Sequence, residues 1–124
     1  MITGWRGEYY SNRNLNGNPV SVRNDLAIDF DWGAGAAGPG LPADNFSARW
    51  TRTINFEPGR YRFLARADDG VRVWIDNELV IDQWRESTAR TYTAERTLSA
   101  GAHAVRVEYF EATGGAQMRF GWEF

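Results

Sequence analysis

Apolar and polar residues alternate with a period of two through most of this chain, and that repeat constrains the fold more than any other feature. Tyr61, Phe63, Ala65 and Ala67 alternate with Arg60, Arg62 and Arg66; Val71, Val73 and Ile75 alternate with Arg72 and Asp76. Val105, Val107 and Tyr109 alternate with Arg106 and Glu108, and Met118, Phe120, Trp122 and Phe124 with Gln117, Arg119 and Glu123. Phe46, Ala48 and Trp50 open a further run, with Ser47, Arg49 and Thr51 on its other face. Successive strand residues point to opposite sides, so each run predicts a strand with one wet and one dry face. No segment carries a helical period. Short strands at regular intervals predict an all-β, two-sheet antiparallel sandwich of jelly-roll type with very little helix. Trp50, Phe63, Val73, Val107, Tyr109 and Phe120 are its expected core.

The punctuation agrees. Glu57-Pro58-Gly59-Arg60 fits a type II turn, and Asp76-Asn77 fits a tight hairpin because Asn tolerates the left-handed conformation. Ala100-Gly101 and Gly114-Gly115 mark two more turns. Trp32 to Asn45, "WGAGAAGPGLPADN", lacks alternation and predicts a long irregular crossover over the sandwich. The 124 residues show no internal repeat or linker and predict one domain, 1–124. A chain of this size buries roughly two-thirds of its unfolded surface, enough for a core without disulfides. There is no cysteine, and the six tryptophans imply a core built on rings.

Composition also narrows function. A net charge of −2 gives no global attraction to nucleic acid. No run approaches the roughly 18 apolar residues of a membrane span, and Met1-Ile2-Thr3 lacks the segments of a signal peptide. The chain reads as a domain of a larger protein, monomeric when isolated. With one histidine and no cysteine, histidine-rich zinc sites and Cys–His catalysis are excluded. His103 begins an alternating strand and reads as a packed or solvated residue. The arginines Arg6, Arg49, Arg52, Arg62, Arg66 and Arg72 read as solvated strand faces beside acidic neighbours. "WGAGAAGPG" has no helix after it, which argues against a phosphate-binding loop.

The one constellation with chemistry is Asp68-Asp69 in "RFLARADDGVRVWID". Two anionic oxygen donors meeting at a loop tip suit a hard cation such as calcium. The other reading is an Asp-Gly hairpin turn whose extra Asp is solvated. Glycoside hydrolysis needs two carboxyl groups facing each other across a cleft, roughly 5–5.5 or 6.5–9.5 Å apart, which adjacent residues seldom achieve. The domain is therefore expected not to be an enzyme. Trp84 and Trp32 are each either a sugar-stacking platform or part of the core.

Four stretches resemble the protective-antigen-type (PA-fourteen) domain, a β-sandwich module of bacterial toxins, glycosidases and adhesins. They are "GWRGEYYSNRNLNGNP", "IDFDWGAGAAGPGLPADNFSARWTRTI", "GRYRFLARADDGVRVWIDNELVIDQW" and "GAHAVRVEYFEATGGAQMRFGWEF". In the sugar-binding members a pair like Asp68-Asp69, joined by a cis peptide bond, grips a calcium ion that coordinates vicinal sugar hydroxyls. The resemblance implies a second loop at Glu111 to Gln117. In the fungal adhesins that loop gives an Asn side chain and backbone carbonyls; here it has no Asn or Asp. The implied ion ligands are Asp68 and Asp69 with second-loop donors at Thr113, Gly115 and Gln117, where backbone carbonyls and the side chain of either Glu111 or Gln117 are the candidates. The implied carbohydrate contacts are Asp68, Asp69, Glu111, Gly114, Gln117 and Trp84. Expected partners are glycans or glycoproteins, with no nucleic acid and no membrane insertion, at an extracellular or cell-surface location. A structural or protein-interaction module without free-sugar binding is the alternative.

Overall fold

The computed structural model describes residues 4–33, 35, 38 and 40–124. Among these, ten strands and no helix are found: β1 (Trp5–Tyr10), β2 (Ser21–Asp25), β3 (Asp29–Gly33), β4 (Phe46–Phe56), β5 (Gly59–Asp68), β6 (Gly70–Ile75), β7 (Glu78–Gln83), β8 (Arg90–Leu98), β9 (Gly101–Glu111) and β10 (Ala116–Glu123). They form two antiparallel sheets, six-stranded in the order β2-β1-β4-β9-β6-β7 and four-stranded in the order β3-β10-β5-β8. The described residues therefore contain no helix long and apolar enough to cross a membrane.

The alternation sets which residues meet between the sheets. Trp50, Phe63, Val73, Val107 and Tyr109 are fully buried, as expected. Some ring pairs meet edge-on or tilted, as in Tyr9–Trp50 at 5.8 Å and Trp50–Tyr109 at 6.3 Å, and others stack, as Phe30 does on Trp50 at 6.0 Å. Phe120 is the exception and is only half-buried. Its ring stacks on Phe63, but it lies beside a depression next to Gly121, which has no side chain to close it. Phe124 is exposed, as a last residue beyond the final strand.

On the outer face of the large sheet, Glu108 is nearly inaccessible. Its carboxylate receives Arg49 at 2.8 Å and Arg72 at 3.0 Å. Arg62 and Arg66 lie on the other sheet, paired with Glu123 and Gln117, so the arginines form no single stripe.

The turns largely follow their residues. Asp76 and Asn77 both take left-handed φ, 51° and 66°, as a two-residue hairpin between β6 and β7 requires. The turn before β5 departs from type II, because Gly59 has φ 157° rather than about +80°. A Cβ there would lie 2.5 Å from the ring of Phe124, an exposed side chain that would have to move aside. Trp32 and Gly33 extend β3, so the irregular segment starts after them; Ala34, Ala36, Ala37 and Pro39 lie outside the described residues.

Candidate metal centre

Asp68 ends β5 and Gly70 begins β6, and these strands lie in different sheets. The aspartate pair is thus the point where the chain crosses between sheets, which removes the hairpin reading. The Asp68–Asp69 peptide bond is cis. Asp69 is buried, with three backbone tethers. Its N–H donates to the Phe110 carbonyl at 3.1 Å, Oδ1 accepts from the Ala112 N–H at 3.1 Å, and Oδ2 accepts from the Ser87 N–H at 3.2 Å. The Tyr109 hydroxyl donates to the Asp68 carbonyl. Gly70 is obligatory here, since a Cβ would sit 2.1 Å from the Phe110 ring.

A second crossing lies at the same end. β9 of the large sheet ends at Glu111, and residues 112–115 lead into β10 of the small sheet. Val105, Val107 and Tyr109 point inward, and Glu111 continues that series at zero exposure. A carboxylate therefore occupies a core position. No N–H or hydroxyl donor among the described residues reaches either of its oxygens, and a hydrogen bond to its neighbour Asp69 exists only while one of the two is protonated.

Asp68, Asp69 and Glu111 converge, with one carboxylate oxygen of each within 4.8 Å of the others. Burial, then the neighbouring Asp69, raises the Asp68 carboxyl to about 6. Burial, then Asp69 and Asp68, with a smaller contribution from Asp44, raises Glu111 to about 9. Two carboxylates so placed share a hydrogen bond only if one keeps its proton; otherwise three anions face each other in a low-dielectric site. An all-oxygen donor set with an unpartnered buried carboxylate is the kind that a hard cation occupies.

The remaining sequence-predicted residues divide. Thr113, Gly114 and Gly115 are exposed in the loop that follows Glu111, at the same end as the trio. Gln117 is not turned to the trio: its Oε1 accepts from Arg66 Nε at 2.8 Å and its Nε2 donates to Asp31 at 3.4 Å. Neighbouring Ala116 and Met118 point inward, so strand parity sends Gln117 outward. Trp84 packs edge-on against Phe110 at 4.8 Å, and the Arg72 guanidinium lies 3.9 Å from its ring centre. Both contacts cover part of the ring, which is left partly exposed. Trp32, partly buried, stacks on Phe30 at 4.8 Å and meets Phe46 edge-on, packed against the core. The Ser87 backbone has no signal in the sequence, because the 84–89 segment carries no turn or ligand pattern.

The model of the PA14 domain matches residues 3–123. The chain belongs to the PA14 domain family. It is 36% identical over 124 residues to the anti-sigma-I factor RsgI3 of Acetivibrio thermocellus, a match that covers 97% of this chain and 19% of that protein. The PA14 chain thus spans about a fifth of the length of the curated relative it matches. A solved anti-sigma factor domain-containing protein from Clostridium clariflavum superposes with a TM-score of 0.90 at 35% identity, over 97% of this chain and 41% of the other. The PA14 sugar-binding domain of an RTX adhesin superposes with a TM-score of 0.74 at 21% identity, over 99% and 90%, and so shares the fold.

Proposed function

We propose that this PA14 domain is a calcium-dependent carbohydrate-binding module, with the ion held by Asp68, Asp69 and Glu111. The observation that carries the reading is the buried Glu111 carboxylate, without a donor of its own, beside the aspartate pair. Three hard anionic oxygens fit calcium, which takes roughly 6–8 oxygen ligands. Carbonyls of Thr113 to Gly115 are the candidates to complete the protein's share, leaving positions for two vicinal sugar hydroxyls. Bound calcium would supply the attraction for those hydroxyls. The protein's part is to hold Asp69 between the Ala112 and Ser87 N–H groups, so that its oxygens are oriented before any ligand arrives. The sugar-binding activity named for the RTX adhesin domain supports the ligand class.

The domain acts by binding rather than by catalysis, on glycans or glycoproteins outside the cell. In a parent like the anti-sigma factors it resembles, a sugar-occupied module would serve as the sensing or targeting part. One shallow site implies millimolar affinity, about −4 kcal/mol, and linked copies would raise avidity by about 10²–10⁴.

The test is an NMR titration with mannose-, glucose- and fucose-type monosaccharides, with calcium and then with EDTA, on the wild type and Asp69→Asn. Shifts at residues 68–70 and 111–115 that need both calcium and Asp69 are expected. Binding that survives EDTA would refute the reading. Calcium bound with no response across a broad glycan panel would leave a structural module.

A further inference from the structure

The only histidine sits at the other end of the sandwich, where β6 turns into β7 and where Ser99-Ala100 carry the chain from β8 in the small sheet to β9 in the large one. Both nitrogens of the His103 ring face acceptors. Nδ1 lies 2.5 Å from Asp76 Oδ2, and Nε2 lies 2.8 Å from the Ser99 carbonyl. A carbonyl can only accept, and so can an ionised carboxylate. A neutral imidazole has one N–H and can satisfy one of them; the imidazolium satisfies both.

The second Asp76 oxygen accepts from the Ala104 N–H at 3.0 Å, and the Asp76 N–H donates to the Ala104 carbonyl at 2.8 Å. Phe56 of β4 packs edge-on against the imidazole at 5.8 Å and limits water on that side. The other charged groups here, Glu78 of β7 and Arg96 of β8, pair with each other at 3.0 Å across the edges of the two sheets. Asp76 is therefore the anion that answers the ring.

We infer that His103 is a proton-dependent clasp, whose charged form pins the β6–β7 turn to the crossing between the sheets at Ser99. The ring's own shift agrees: the hydrogen bond to Asp76, then the one to Ser99, raises His103 above the ordinary histidine value. The bond to His103 in turn lowers Asp76. The signs define a window. The histidine contribution is complete below about 6.5 and is lost as pH rises through the raised value. The aspartate contribution is present above the ordinary carboxylate range and is lost as pH falls through the lowered value. Between those limits the clasp is closed. Above the upper one, an imidazole must abandon Asp76 or Ser99, and the crossing loosens while the sheets persist.

A lone histidine makes the test direct. Its ring protons are followed by NMR across pH on the whole chain, together with amide-exchange protection factors at Asp76, Gly101, His103 and Ala104. The expected result is a titration above 6.5, with protection at those amides falling in the same transition. Asp76→Asn should move the titration downward and abolish the coupled change. Titration at or below 6.5, or protection that ignores the ring's protonation, would overturn the clasp. The wild-type titration decides the matter even if the variant fails to fold. Because the Asp68–Asp69–Glu111 trio is at the opposite end, the result does not depend on calcium or sugar binding.

Discussion

Replacing Glu111 by Gln isolates the electrostatics of the trio while keeping the side chain's shape. One carboxylate oxygen of each residue lies within 4.8 Å of the others, and two full charges at that limit repel by about 3.5 kcal/mol at an effective dielectric of 20. Burial first, and then the acidic neighbours Asp69 and Asp68, keep the proton on Glu111 up to about 9 without a cation. The unfolded chain has no such restraint and ionises near the ordinary glutamate value. A carboxyl raised on folding is a liability that grows with pH. The apo stability should fall as pH rises from the ordinary value to about 9. At pH 8 the full linkage from an ordinary value of about 4.3 would be about 5 kcal/mol, an upper bound that local relaxation reduces.

A Gln pays none of this, and its amide can donate to the aspartates. Glu111→Gln should therefore melt higher than the wild type in EDTA at pH 8, by about 2 kcal/mol or roughly 6–10 °C for a domain of this size. Its remaining pH slope should come from Asp68, raised to about 6, and from the His103–Asp76 pair. With calcium at a hundredfold excess over Kd the wild type should gain about 2.7 kcal/mol, and the variant, short of one anionic ligand, much less. Melting curves with EDTA and with calcium at pH 5, 6.5 and 8, on protein verified metal-free by elemental analysis, provide the assay. A variant that melts below the wild type in EDTA at pH 8, or that keeps the whole calcium shift, would refute the argument.

Gly70→Ala should destabilise the domain by about 1–3 kcal/mol in calcium and in EDTA alike, because its Cβ must displace the Phe110 ring; urea unfolding would show it, and an unchanged midpoint would contradict the packing. Glu108→Ala should cost about 2 kcal/mol, since it leaves Arg49 and Arg72 facing each other without the carboxylate; the loss, read by thermal melting, should shrink when Arg72 is replaced as well.

Much of this was legible in the residues. A period of two is a local property, so the strands around Phe63, Val73, Val107 and Met118, and the buried face of each, follow from the order of side chains alone. Asp76-Asn77 announces its turn for the same reason: left-handed backbone is a matter of single-residue sterics. The outward turn of Gln117 and the inward turn of Glu111 were also implicit in the alternation of their strands. A carboxylate at an inward position is a stronger pointer to a cation than a Gln in the same loop.

Only the tertiary structure decided what those positions mean. Asp68-Asp69 reads locally as either a cation-binding loop tip or a hairpin turn, and it becomes a crossing because β5 pairs with β8 and β10 while β6 pairs with β7 and β9. Strand partners are chosen by long-range burial, which no local pattern encodes. That pairing places the end of β9 beside the end of β5, and so brings Glu111 to the aspartates and the Ser87 N–H to Asp69. His103 shows the same division. The sequence marks it as an ordinary strand residue, and only the packing of two turns distant in the chain surrounds its ring with acceptors on both sides.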